Sequence, residues 1–137
     1  MNLLSPSERE RYFKQFKNEL KRKSLKNVEF ILCPPFVHLE SFTENLKNKS
    51  VNTGSQNIFW EEKGSYTGEI SPVMIKNMKA QYAIVGHSER RKYFRETDYD
   101  VNRKIKAALK AGLTPILCVG ETKEEKGMDM TMDAIVR

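Results

Sequence analysis

Three chemically capable side chains, His87, Ser88 and Glu89, come in succession where the apolar run Tyr82-Ala-Ile-Val85 stops at Gly86. An imidazole released at the end of a buried strand can donate a hydrogen bond to a substrate oxygen, provided that the ring is neutral. Ser88 followed by Glu89 suits the first turn of a helix, where free backbone N–H groups and the positive end of the dipole favour acceptors and carboxylates. His87 is then expected beside a helix N-terminus, where the same dipole disfavours imidazolium and favours the neutral ring. A histidine that merely satisfies a loop carbonyl produces the same local pattern, and these residues alone leave both readings open.

Positioning that cluster requires a strand before it and a helix after it, and the chain repeats this pattern. Ser5-Pro-Ser-Glu8 has capping-box spacing with proline at the first helical position, and Tyr12, Phe13, Phe16 and Leu20 then recur at helical spacing as one core-facing stripe. Val28-Glu-Phe-Ile-Leu32 predicts a strand, ended by Pro34 and Pro35. Leu39, Phe42 and Leu46 predict a second helix, on which His38 reads as a surface or packing residue. Val51-Asn-Thr-Gly54 predicts a short strand, and the loop from Gln56 to Gly68 is too long and too aromatic to be an idle connector. Its Phe59, Trp60 and Tyr66 need burial, against a partner surface or against their own domain.

Ser71-Pro72 opens a short helix through Ile75 and Met78, and Tyr82 to Val85 is the next strand. Thr97 or Asp98 opens a longer helix with Val101, Ile105, Ala108 and Leu109 facing inward and Gly112 marking its end. Thr114 to Val119 predicts a further strand, Thr122 and Glu125 again have capping-box spacing, and the last helical pattern runs through Ile135-Val-Arg137. Strands beginning near residues 28, 51, 82 and 114, alternating with helices, imply right-handed crossovers and a parallel sheet. Periodicity admits both an open doubly wound sheet and an arc of a barrel. Polar chemistry collected at strand C-terminal ends favours the barrel, and the sequence contains no Gly-rich phosphate loop of the Walker or dinucleotide type.

Composition narrows the function classes. The 137 residues suffice for one domain with a sizeable core, and 39% hydrophobic against 31% charged residues predicts a soluble globular chain. No apolar run approaches the length of a membrane span, and the N-terminal stretch, with Ser5, Pro6 and charges from Glu8 onward, lacks the apolar core of a signal peptide. A cytoplasmic protein without membrane association is expected. Cys33 and Cys118 each fall at or in a predicted buried strand and read as inert core thiols, forming neither a disulfide framework nor a metal site. The net charge of +6 is spread over helix faces, from Lys14 and Lys17 through Lys23 to Arg103, Lys104, Lys106 and Lys110, with acids among them. That is the pattern of solvated helices rather than of a nucleic-acid site, and the excess charge can still attract an anionic substrate.

Three stretches in one order, Gly68-Glu-Ile-Ser-Pro72, Val85-Gly-His-Ser-Glu-Arg-Arg91 and Pro115-Ile-Leu-Cys-Val-Gly-Glu-Thr122, closely resemble the triosephosphate isomerase family. The resemblance implies a partial (β/α)8 barrel of about four parallel strands, with residues 1–137 forming a single incomplete barrel domain, the N-terminal half of such an enzyme. It implies the interconversion of dihydroxyacetone phosphate and glyceraldehyde 3-phosphate, a reaction of glycolysis and gluconeogenesis that proceeds by proton transfer without metal or organic cofactor. In that chemistry a neutral histidine polarises the carbonyl while a glutamate moves the proton. His87 matches the electrophilic histidine, and Ser88 and Glu89 match its active-site neighbours. The resemblance further implies a homodimer in which the loop holding Thr67 and Glu69 reaches the other subunit, the threonine approaching its active site and the glutamate pairing with the arginine matching Arg90. Cys118 and Glu121 match structural positions near the site.

The chain also departs from the family pattern. Met1-Asn2 matches the tail of a first-strand motif whose substrate-binding asparagine and lysine come earlier, and the segments carrying the general-base glutamate, the closing lid and the phosphate-holding amides come after Arg137. Ser55 stands where alanine is usual. The expectation is therefore a stretch of an isomerase that is inactive by itself. The alternatives are a non-enzymatic interaction module using the aromatic loop and an unrelated doubly wound phosphate-binding domain.

Overall fold

The structure, a computed structural model, describes residues 1–22, 28–46 and 51–136. Lys23 and Arg137, which belong to two of the sequence-based expectations, lie outside the described residues. Four strands, β1 (Phe30–Leu32), β2 (Val51–Ser55), β3 (Tyr82–Val85) and β4 (Thr114–Leu117), form one parallel sheet in the order β1-β2-β3-β4. The helices are α1 (Pro6–Arg22), α2 (Phe36–Asn45), α3 (Pro72–Asn77), α4 (Ser88–Phe94), α5 (Asp98–Lys110), α6 (Lys123–Gly127) and α7 (Thr131–Val136).

Strand order decides between the two architectures that periodicity left open. A doubly wound sheet reverses direction at a switch point. Here each strand is laid beside its predecessor on the same side, so right-handed crossovers place the helices on one face and leave the other face concave. The chain is an arc of a parallel α/β barrel. Alternation along β3 shows the two sides: Ala83 and Val85 are buried against Val101 and Ala108 of α5, whereas Ile84 lines the concave face with Ile31 and Ile116.

Local chemistry explains the element boundaries. Ser5 Oγ accepts from the Glu8 N–H at 3.2 Å, and Glu8 reaches back to the Leu4 N–H at 2.7 Å, one residue earlier than a standard capping box. Thr97 and Asp100 make the full reciprocal box at the start of α5, and Thr122 with Glu125 does the same before α6. Ser71 caps α3 through the Met74 N–H, with Pro72 at its first position. Pro115 is tolerated inside β4 because Thr114 and Cys118 supply the N–H groups directed at β3, donating to Gln81 O and Val85 O at 2.8 and 2.9 Å.

Two apolar clusters hold the layers together. Phe13 of α1 packs on Phe42 of α2, ring centroids 4.5 Å apart, over Leu46 and Val51. The larger cluster joins Leu39, Ile58, Ile75, Ala83, Val85, Val101, Ala108 and Leu113 across α2, α3, α5 and the sheet. His38 is a packing residue, buried with neither ring nitrogen hydrogen-bonded among the described residues. Three expectations are corrected. Leu109 faces out at 59% exposure, Lys104 is buried instead of solvated, and Cys33 and Cys118 are half-buried because both follow their strands at the open end of the sheet. Burial still pushes the Cys33 thiol up.

Candidate active site

A cleft of about 1160 Å³ opens over the concave face and the C-terminal ends of the strands. His87 enters it from the turn after β3. Gly86 takes φ +76°, a left-handed conformation that only glycine adopts freely, and this turns the chain sharply from strand into α4. His87 is itself the N-cap of α4, its Nδ1 accepting the Glu89 N–H at 3.3 Å. A nitrogen that accepts cannot carry the ring hydrogen in a neutral imidazole, so the hydrogen sits on Nε2 and is available to a ligand. Glu89 Oε2 lies 3.7 Å from the same Nδ1, and both side chains are substantially exposed.

Of the residues singled out from the sequence, His87, Glu89, Arg90 and Glu69 line the cleft together. Ser88 and Thr67 are exposed and stand outside its lining. Glu121 hydrogen-bonds the Thr131 hydroxyl, joining the turn after β4 to α7. Arg90 pairs within the chain not with Glu69 but with Glu96, Nε to Oε2 at 2.7 Å, and its guanidinium stacks 4.7 Å over Phe94.

The loop after β2 is anchored at its base and exposed at its tip. Ile58 is fully buried, the Phe59 N–H bonds Ile70 O at 2.8 Å, and residues 62–69 are exposed. Phe59 packs at a tilt on Trp60, ring centroids 4.1 Å apart, and on Tyr66 at 4.8 Å, and the Arg103 guanidinium covers Trp60 at 4.1 Å. Much of the aromatic surface is thus satisfied within the chain, while Tyr66 keeps 45% of its surface in solvent.

A buried ionic cluster behind the site escaped the sequence reading. Glu96 Oε2 accepts from Arg90 Nε at 2.7 Å and from Lys104 Nζ at 2.5 Å, and Lys104 also donates to Asn57 Oδ1 at 2.7 Å. Burial opposes the Glu96 charge, but the two cationic donors outweigh it and hold its carboxyl below the usual carboxylate range. One signal was present: Lys104 lies three residues after Val101 and four before Ala108, on the apolar stripe of α5.

A strand-end cleft on a sequentially wound parallel sheet, with a histidine capping the helix that follows, is the arrangement in which α/β barrels place their functional groups. The family sequence model described as "Triosephosphate isomerase" matches residues 1–137. Relatives bearing that name include one from Dehalococcoides mccartyi, 57% identical over 109 residues, covering 80% of this chain and 42% of the relative. Another, from Dictyoglomus thermophilum, is 46% identical over 131 residues, covering 96% of this chain and 52% of the relative, and one from Clostridium tetani is 48% identical over 107 residues, covering 78% and 42%. The chain belongs to the triosephosphate isomerase family, and it spans about half the length of the curated relatives it matches.

Proposed function

We propose that residues 1–137 are the N-terminal half of a single barrel domain whose complete form interconverts dihydroxyacetone phosphate and glyceraldehyde 3-phosphate. The observation carrying this reading is the hydrogen bond from the Glu89 N–H to His87 Nδ1, which leaves Nε2–H free to polarise a substrate carbonyl at the cleft. As a carbonyl becomes an enediolate, negative charge grows on its oxygen, and a donor already aimed there stabilises the transition state more than the ground state. The Glu89 backbone N–H keeps the ring in this tautomer, and Ser88 begins the helix that carries both. The proton is moved by a glutamate of the family pattern that residues 1–137 do not match. We assign the tip of the loop, Thr67 and Glu69, to the contact of a homodimer, with Arg90 beside it, and place the enzyme in the cytoplasm.

In a coupled isomerase assay, the full polypeptide carrying this segment should turn over triose phosphate, and His87→Gln should lower kcat by about 100- to 10,000-fold. Residues 1–137 alone should show no turnover. A His87→Gln protein with undiminished kcat removes the assignment.

A further inference from the structure

We propose that Arg91 is a positioning residue that sets the orientation of the His87 imidazole by holding the peptide group that enters it, while the helix backbone holds the one that leaves it. The proposal rests on the reading of His87 given above. Arg91 lies one turn into α4, and its side chain folds back past the helix start, so that Nε donates to Gly86 O at 3.0 Å. That carbonyl belongs to the peptide entering His87. The peptide that leaves His87 is held by the helix itself, its carbonyl accepting from the Arg90 N–H at 2.9 Å and the Arg91 N–H at 3.2 Å. With both planes held, His87 keeps φ −57° and ψ 140°, and its Cα–Cβ bond has one direction.

The far end of the guanidinium reaches α5. Arg91 Nη1 donates to Asp98 Oδ1 at 2.6 Å, and Asp98 is the first residue of α5. The turn itself has little room to move. A Cβ at Gly86 would lie 3.2 Å from Val101 Cγ2, 3.3 Å from Arg91 Nη2 and 3.4 Å from Cys118 O. The guanidinium is therefore one wall of the pocket that holds the turn, the others being α5 and the chain after β4. A planar fork with separate Nε and Nη1 donors spans the carbonyl and the carboxylate at once, which a lysine ammonium cannot do from one point. Without the fork, α4 can still cap itself on His87 Nδ1, but the entering peptide is free to rotate and carry Nε2 away from a substrate oxygen.

Misplacement on this scale acts on the chemical step more than on substrate binding. In the full polypeptide, Arg91→Met should lower kcat about 10- to 100-fold and leave KM within about twofold, with Arg91→Lys recovering only part of the loss. The ¹⁵N signals of the His87 ring should shift or broaden in Arg91→Met while the fold, followed by circular dichroism, stays intact. A folded Arg91→Met with unchanged kcat and unchanged ring signals overturns the proposal, since a merely structural arginine would lower only the melting temperature. If Arg91→Met does not fold, Arg91→Lys decides: it keeps the charge and most of the volume but not the fork, and a kcat and ring spectrum like those of the parent protein overturn the proposal equally. The ring signals report on the Arg91 fork whether or not the parent protein isomerises triose phosphate, so a parent without turnover defeats the functional reading alone.

Discussion

Arg95 occupies a conformation that costs it free energy. It ends α4 with φ 55° and ψ 31°, the left-handed cap in which an L side chain crowds its own carbonyl, and its exposed side chain lies beside a buried Glu96. Glycine adopts this cap without the crowding, although it also gains freedom in the unfolded chain. Arg95→Gly should therefore raise the stability of the full polypeptide by about 0.5–1 kcal/mol, read as a higher denaturant midpoint with unchanged slope. A midpoint that stays put or falls would show that the arginine makes a compensating contact. Ser55 presents the opposite case, a hydroxyl at 2% exposure with no hydrogen-bond partner among the described residues, which marks that position as tolerated rather than optimised.

Between elements, the Glu96 cluster is what ties the site to its supports. Glu96 joins the end of α4 to α5 through Lys104, while Lys104 joins α5 to the base of the long loop through Asn57. Arg103 with Glu61 and Lys110 with Glu62 add exposed pairs along the same loop, and such pairs contribute little. The buried member matters more, because removing one partner leaves the other charges desolvated. Glu96→Gln should destabilise the full polypeptide by about 3–5 kcal/mol at neutral pH. The pH dependence has a definite sign. The carboxyl is held below its unfolded value of 4.5, so its stabilisation is complete above that pH and is lost as pH falls through the lower folded value. The gap between parent and Glu96→Gln in chemical denaturation should accordingly close from about pH 4.5 downward. A gap that stays constant into acid would mean that the carboxylate charge is not what stabilises.

For the molecule as a whole, the proposed homodimer contact is tested at the loop tip. Tyr93, Phe94 and Tyr99 are exposed at 67%, 67% and 72%, and Phe94 lines the same cleft as Glu69 and Arg90. Exposed aromatics beside a projecting loop fit a subunit interface, where such residues anchor the contact. Thr67→Arg in the full polypeptide should place a bulky charge at that contact and weaken self-association by at least about tenfold, or roughly 1.4 kcal/mol. Sedimentation at low concentration checks this, and an undisturbed dimer counts against the loop assignment.

The elements and the strand-end cluster at His87 were legible in the sequence because they depend on neighbours along the chain. The caps at Ser5, Ser71, Thr97 and Thr122, the stripe of α1, the four strands and the strand-to-helix turn at Gly86 are local patterns of polarity and backbone preference. Within the helical pattern near the C-terminal end, the sequence did not separate α6 from α7, whose break comes at Asp129 with φ 57°. The burial of Lys104, its bonds to Glu96 and Asn57, and the return of Arg91 to Gly86 were decided only by tertiary structure. A lysine or arginine carries the same formal charge on a wet face as in a core, and what distinguishes them is which distant groups come within hydrogen-bonding range. The barrel arc was reached from the sequence only through the polar residues at strand ends and the family resemblance, not through periodicity. Periodicity fixes what each strand is, but which edge receives the next strand is a long-range choice, and here each is laid on the same side in turn.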